Sequence, residues 1–115
     1  MSSDGTPKPS RLEMIDKMLA AKPDDPFPRY ARAMELRSQG RGQEALEEYG
    51  RVAQLFPAYV PSYLMGAQVA AELGQVQEAR AWAERGVSAA TKADDDHALS
   101  ELRSFMGTLA GTELE

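Results

Sequence analysis

The sequence predicts an all-α chain, an α-α superhelix of about six antiparallel helices, and three observations carry that prediction. Hydrophobic residues make up 43% of the chain, with Ala, Leu and Met dominant and aromatics at 7%. That balance favours helix over sheet. Apolar residues recur at steps of three and four along most of the length, which gathers them on one face of a helix. The chain also matches itself at an offset of 34 residues. Gly40-Arg-Gly-Gln-Glu-Ala45 falls on Gly74-Gln-Val-Gln-Glu-Ala79 with four of six positions identical, Pro23 falls on Pro57, and Leu12 falls on Leu46.

The elements follow in order. Residues 1–9 are polar and carry Gly5, Pro7 and Pro9, so a disordered N-terminal tail is expected there. Ser10-Arg-Leu-Glu13 has capping-box form and opens a helix with Leu12, Ile15, Met18 and Leu19 on one side. At the 34-residue offset this helix matches the second helix of a repeat, making residues 10–22 a leading half-repeat. A first full repeat spans 25–57. Asp25 caps it, Pro26 takes the first helical position, and the helix ends near Ser38 with Gly40 available for a left-handed position.

Its second helix runs from about Gln43 to Leu55, with Ala45, Leu46, Tyr49, Val52, Ala53 and Phe56 on one face, and Pro57 stops it. A second repeat at 60–91 follows the same scheme, with helices from about Pro61 to Leu73 and Val76 to Ala90. Asp94, Asp95 and Asp96 place negative charge at the start of a capping helix, where the helix dipole favours it. That helix spans 95–110 with the stripe Leu99, Leu102, Met106 and Leu109, and residues 111–115 form a tail. One domain, 10–110, accounts for the fold.

The charge of −5 argues against a nucleic-acid partner, since such domains concentrate a basic excess. The absence of cysteine removes disulfides and thiolate chemistry. No stretch approaches the roughly 18 apolar residues of a membrane span, and the N-terminus lacks a signal-peptide core. A cytoplasmic protein with no membrane partner is expected. No phosphate loop, dinucleotide turn, nucleophile elbow or metal-ligand pair occurs. His97 has no companion group to orient it, and the three aspartates lack calcium-loop spacing. No catalytic residue, cofactor or metal is expected, and the chain reads as a non-enzyme. Arg29, Arg32, Arg37, Arg41 and Arg51 lie among Glu35, Glu44, Glu47 and Glu48, which reads as an ion-paired surface. Trp82 and the methionines read as core.

Taken together, the repeat length, the glycines 40 and 74, the alanines 45 and 79, the small residues Ala33 and Ala67, Tyr49, Tyr63 and Pro57 make the chain resemble the tetratricopeptide repeat family. The resemblance covers roughly residues 10 to 110. It departs from the family pattern where Arg32 and Gly66 replace a preferred leucine, where Ala83 and Gly86 are small, where Trp82 sits one position early, and where Thr91 replaces a proline.

The resemblance implies a protein–protein interaction adaptor or scaffold whose first helices line a concave groove. Carried over, the groove residues are Phe27, Tyr30, Met34, Arg37 and Ser38, then Pro61, Leu64, Gln68, Ala71 and Glu72. The groove set is Phe27, Tyr30, Met34, Arg37, Leu64 and Gln68. It is largely apolar and fits a helical or extended apolar peptide of another protein. The lysine and asparagine of the family's carboxylate clamp are replaced by Tyr30 and Met34, which excludes that ligand class. Two other uses of the apolar surface stand beside docking. The C-terminal helix folds over the groove, or a structural homodimer occludes the groove or final helix.

Overall fold

The computed structural model describes residues 8–113, and among them are six helices and no strand. In chain order they are α1 (Arg11–Ala21), α2 (Pro26–Ser38), α3 (Gly42–Leu55), α4 (Pro61–Glu72), α5 (Val76–Lys92) and α6 (Asp96–Glu113). Each packs on its neighbours in sequence, and α6 also reaches α4. The all-α superhelix is the fold the chain adopts. Of the expected N-terminal tail, residues 1–7 lie outside the described residues, as do 114 and 115.

Local chemistry starts the helices as the sequence implies. The Ser10 N–H donates to Glu13 Oε1 at 3.2 Å while the Glu13 N–H donates to Ser10 Oγ at 3.1 Å, completing a capping box. Asp25 accepts from the Phe27 N–H at 3.0 Å, and Pro26 fills the first turn of α2. Before α6, Asp95 Oδ1 accepts from the Ala98 N–H at 3.0 Å. Each cap satisfies an N–H that a helix start otherwise leaves unpaired.

Three turns share one hydrogen-bond pattern. Gly40 N–H donates to the Arg37 carbonyl and Arg41 N–H to that of Leu36. Gly74 and Gln75 repeat this on Ala71 and Ala70, and Asp94 and Asp95 repeat it on Thr91 and Ala90. The middle residue is left-handed in each, with φ of 74° at Gly40, 77° at Gly74 and 53° at Asp94. The turn into α6 is thus the tight turn used inside each repeat, with aspartate where glycine costs least. It replaces the proline-containing connections that precede α2 and α4.

The final helix runs beyond the expected 95–110. Residues 111–113, expected in a tail, continue α6. Leu109 is buried and anchors the last turns, and the Thr108 and Thr112 hydroxyls bond back to the Ser104 and Thr108 carbonyls.

The core runs through all the helix pairs, from Ala33, Leu36 and Tyr49 through Tyr63, Ala67 and Trp82 to Leu102 and Leu109. The departures in the second repeat fit one another. A Cβ placed on Gly66 would lie 2.7 Å from the Trp82 ring, and one on Gly86 would lie 2.8 Å from Leu102 and from the Tyr63 Cβ. Gly66 therefore leaves the room that Trp82 fills, and Gly86 lets α6 and Tyr63 approach α5.

Arg29, Arg32, Arg37 and Arg41 of the first repeat are ion-paired, as their company in sequence implies. Glu48, buried, takes Arg29 at 3.3 Å and Arg32 at 3.2 Å, and Arg32 reaches Asp16 of α1 at 3.1 Å. Arg11 pairs with Glu35 at 3.5 Å, and Arg41 with Glu44. These pairs tie α1, α2 and α3 together. Trp82 is core, but two methionines are not. Met14 and Met18 are 55% and 43% exposed. They lie one helical turn apart on an α1 face that no helix among the described residues covers.

Candidate docking trough

The first helices of successive pairs come side by side. Tyr30 of α2 meets Val60, Pro61, Leu64 and Met65 of α4 and its approach around a cavity of about 320 Å³, closed on the far side by Asp95, His97, Ala98, Glu101 and Leu102. A second cavity, of about 450 Å³, continues along α4 and α6 between Leu64, Gln68, Phe105, Ser104 and Thr108. Leu64, His97 and Glu101 line both, so the two form one trough. The helix α6 supplies a wall of it.

Tyr30 is held from several sides. Its ring meets Tyr59 edge-on at 5.3 Å and 71°, Tyr49 at 5.8 Å and 63°, and Phe27 tilted at 6.5 Å. Such edge contacts add about 0.5–1.5 kcal/mol each beyond area burial. Burial, then the neighbouring Tyr59, raises the Tyr30 hydroxyl above its ordinary pKa, with Arg37 opposing. Tyr49 is fully buried with its hydroxyl unpaired among the described residues, and burial pushes that hydroxyl strongly upward.

The six groove residues fall into separate settings. Tyr30, Leu64 and Gln68 line the trough. Phe27, 47% exposed, lies between Tyr30 and the α1 end, where it borders concavities shared with Met18 and Met14. Met34 packs partly buried against the core. Arg37 spans from α2 to α4. Its Nε donates to Glu72 Oε1 at 3.1 Å and its Nη1 to Gln68 Oε1 at 3.4 Å, with a further bond from Nη2 to Glu72. The hydrogen bond to Glu72 holds the guanidinium above its ordinary pKa.

Sequence reading left out the α6 side of the trough, which includes His97, Ser100, Glu101, Ser104, Phe105 and Thr108, and also Val60 and Met65 on the α4 side. The α6 side was signalled by the aspartates that start the helix and by the alternative in which the C-terminal helix folds over the groove. His97 is exposed and its Nε2 lies 3.3 Å from Glu101. Among the described residues, no group of three or more His, Asp or Glu is placed to hold a metal ion, and no helix is long and apolar enough to cross a membrane.

Stacked helix pairs with a 34-residue period point to one family, and its sequence profile, described as "Tetratricopeptide repeat", matches residues 36–103, more than half of the chain. The chain is a tetratricopeptide-repeat protein. Among curated proteins, none matches it in sequence. A tetratricopeptide repeat domain protein from Salinibacter ruber superposes with a TM-score of 0.72 at 26% identity, over 76% of this chain and 99% of that one. A protein from Bordetella parapertussis superposes with a TM-score of 0.79 at 22% identity, covering 92% of each chain. PcrH, in a crystal structure with the chaperone binding region of PopD, superposes at 0.80 with 12% identity over 89% of this chain and 77% of that one. At 22% and 12% identity the last two carry the fold alone. Tetratricopeptide repeats generally mediate protein–protein interaction. In this one, α2, α4 and α6 are the helices that line the trough.

Proposed function

We propose that this tetratricopeptide-repeat protein is an adaptor, not an enzyme, that holds a helical or extended apolar segment of another protein in the α2–α4–α6 trough. One observation carries the reading: Tyr30 and Leu64, from successive repeats, face a shared open cavity while their neighbours hold them in place. A receptor already ordered in this way loses little conformational entropy on binding. PcrH, similar in fold, is seen with the chaperone binding region of PopD, so a helix stack of this shape accommodates a segment of another protein. Tyr30, Leu64 and Gln68 are the proposed central contacts. Phe27 extends the surface toward α1, and Met34 and Arg37 support it from the core and across the α2–α4 seam. A cytoplasmic setting goes with this reading.

The test is affinity capture with the intact chain and with Tyr30→Ala plus Leu64→Ala, folded by circular dichroism. The reading expects a partner held by the first and lost by the second. A partner retained in full by the double variant removes this surface from consideration.

Self-association as a homodimer is the alternative. The exposed Met14, Met18 and Phe27 at the α1 end favour it through a surface other than the trough. Light scattering across concentration separates the two, because a strict monomer at high concentration rules out the dimer.

A further inference from the structure

We infer that the segment received by the trough is cationic, an apolar stretch carrying Lys or Arg beside its anchors. The inference rests on the docking reading above and deepens it. Two carboxylates, Asp95 and Glu101, line the cavities, and no Lys or Arg does. At the α2–α4 seam Glu72 engages Arg37, so that pair adds no net charge to the trough. His97 carries charge only when protonated, and it then pairs with Glu101.

Several cations of the chain are engaged away from the trough. Arg29 and Arg32 bind Glu48, and Arg11 binds Glu35. Arg85 stacks 4.6 Å over Trp82 and shares with Lys92 a different concavity, beside Pro57 and Tyr63. The trough is therefore an apolar floor with two carboxylates at its side, Asp95 just before α6 and Glu101 on it. Two apolar anchors fit beside Tyr30 and beside Phe105, with Leu64 between them.

A cationic flank gains attraction from Glu101 and Asp95. An acidic flank meets like charge, which costs affinity and slows encounter. The same charges disfavour a second copy of this chain in the trough, since the net charge of −5 brings acid onto acid. Exposed ion pairs are individually weak, so the predicted effect is graded.

The experiment selects from a random 15-residue display library on the full chain at about 0.05 M salt, then measures the enriched peptides by fluorescence anisotropy. Enriched peptides are expected to carry net positive charge and at least two large apolar residues. Their affinity should fall about threefold to tenfold between 0.05 and 0.5 M salt, as screening of exposed pairs requires. Glu101→Lys, an exposed position that leaves the fold intact, should weaken them about fivefold, on the scale of two exposed charge interactions. Leu64→Ala should weaken every trough peptide whatever its charge.

Enriched peptides that are neutral or acidic, with Leu64→Ala still weakening them, overturn the charge assignment and leave the trough standing. Cationic peptides indifferent to Leu64→Ala and Glu101→Lys bind elsewhere and overturn both readings. Enrichment of no peptide also overturns both.

Discussion

Replacing Gly66 by alanine tests how the second repeat departs from its family pattern. The change adds one methyl group to α4. In the helix interior that methyl gains about 1 kcal/mol of propensity over glycine. Against this, the new Cβ would lie 2.7 Å from Trp82 Cδ2 and Cε3. Trp82 is only 3% exposed, rests against Tyr63 at 6.1 Å and carries Arg85 over its ring, so it has little room to yield. Inserting a methyl into such packing costs about 1–3 kcal/mol. The net expectation is a destabilisation of about 1 kcal/mol, which lowers the melting temperature by about 4–8 °C in a domain of this size.

Gly50→Ala supplies the reference. Gly50 lies inside α3, and a Cβ there meets nothing within 4 Å. It receives the same propensity gain without the clash and should stabilise by about 0.5–1 kcal/mol. Urea unfolding followed by circular dichroism measures both. The difference between the two variants isolates the cost of crowding Trp82, expected at about 1–3 kcal/mol. Equal stabilisation by both alanines would refute the account of Gly66 as room made for Trp82.

Asp94→Gly should stabilise the chain by about 0.5 kcal/mol. It removes the αL cost of about 1–2 kcal/mol borne by a side chain at φ 53°, less the greater unfolded freedom of glycine. Thermal unfolding checks it, and a lower midpoint contradicts the shared-turn assignment. The four tyrosines, Tyr30, Tyr49, Tyr59 and Tyr63, all have hydroxyls raised above the ordinary value, chiefly by burial. In the unfolded chain tyrosine ionises near pH 10, about its free value, while the folded chain keeps its protons to higher pH. Their contribution is thus fully present below about pH 10 and is lost as pH rises above it. The urea midpoint should fall between pH 9 and 11, about one unit either side of that value, and ultraviolet titration of the folded protein should show no tyrosine ionising at the free value. A tyrosine ionising there, or a flat midpoint, is the contrary result.

Much of the fold was legible because its signals are local. The Ser10 and Asp25 caps, the left-handed glycines 40 and 74 and the apolar faces of α3 and α5 are each written within a few residues. The helix α6 was legible too, expected at 95–110 and found at Asp96–Glu113 with Leu102 and Leu109 buried, but which of its residues face the groove was not. The helix α5 has 17 residues against 14 in α3, and Asp94 stands where the other tight turns have glycine, so the 34-residue phase breaks there. The α6 residues that line the trough went unnamed as groove residues for that reason.

The fit between Gly66 and Trp82 and the bridge from Arg37 to Glu72 depend on pairs far apart in sequence, which periodicity does not reveal. Periodicity placed Met18 on the apolar side of α1, but it carries no information on whether another helix covers that side. Of the groove residues, Tyr30, Leu64 and Gln68 line the trough, and Ala33 and Ala67 are fully buried at the small positions of α2 and α4.

The central claim is that the trough between α2, α4 and α6 receives a segment of another protein. Its most direct test is backbone amide shift mapping of the isotopically labelled full chain, titrated with an enriched 15-residue peptide. The account predicts saturable changes concentrated at Tyr30, Leu64, Gln68, Glu101 and Phe105, with the Arg85–Lys92 side of α5 unchanged. Changes confined to Met14, Met18 and Phe27, or to the α5 concavity, would contradict it.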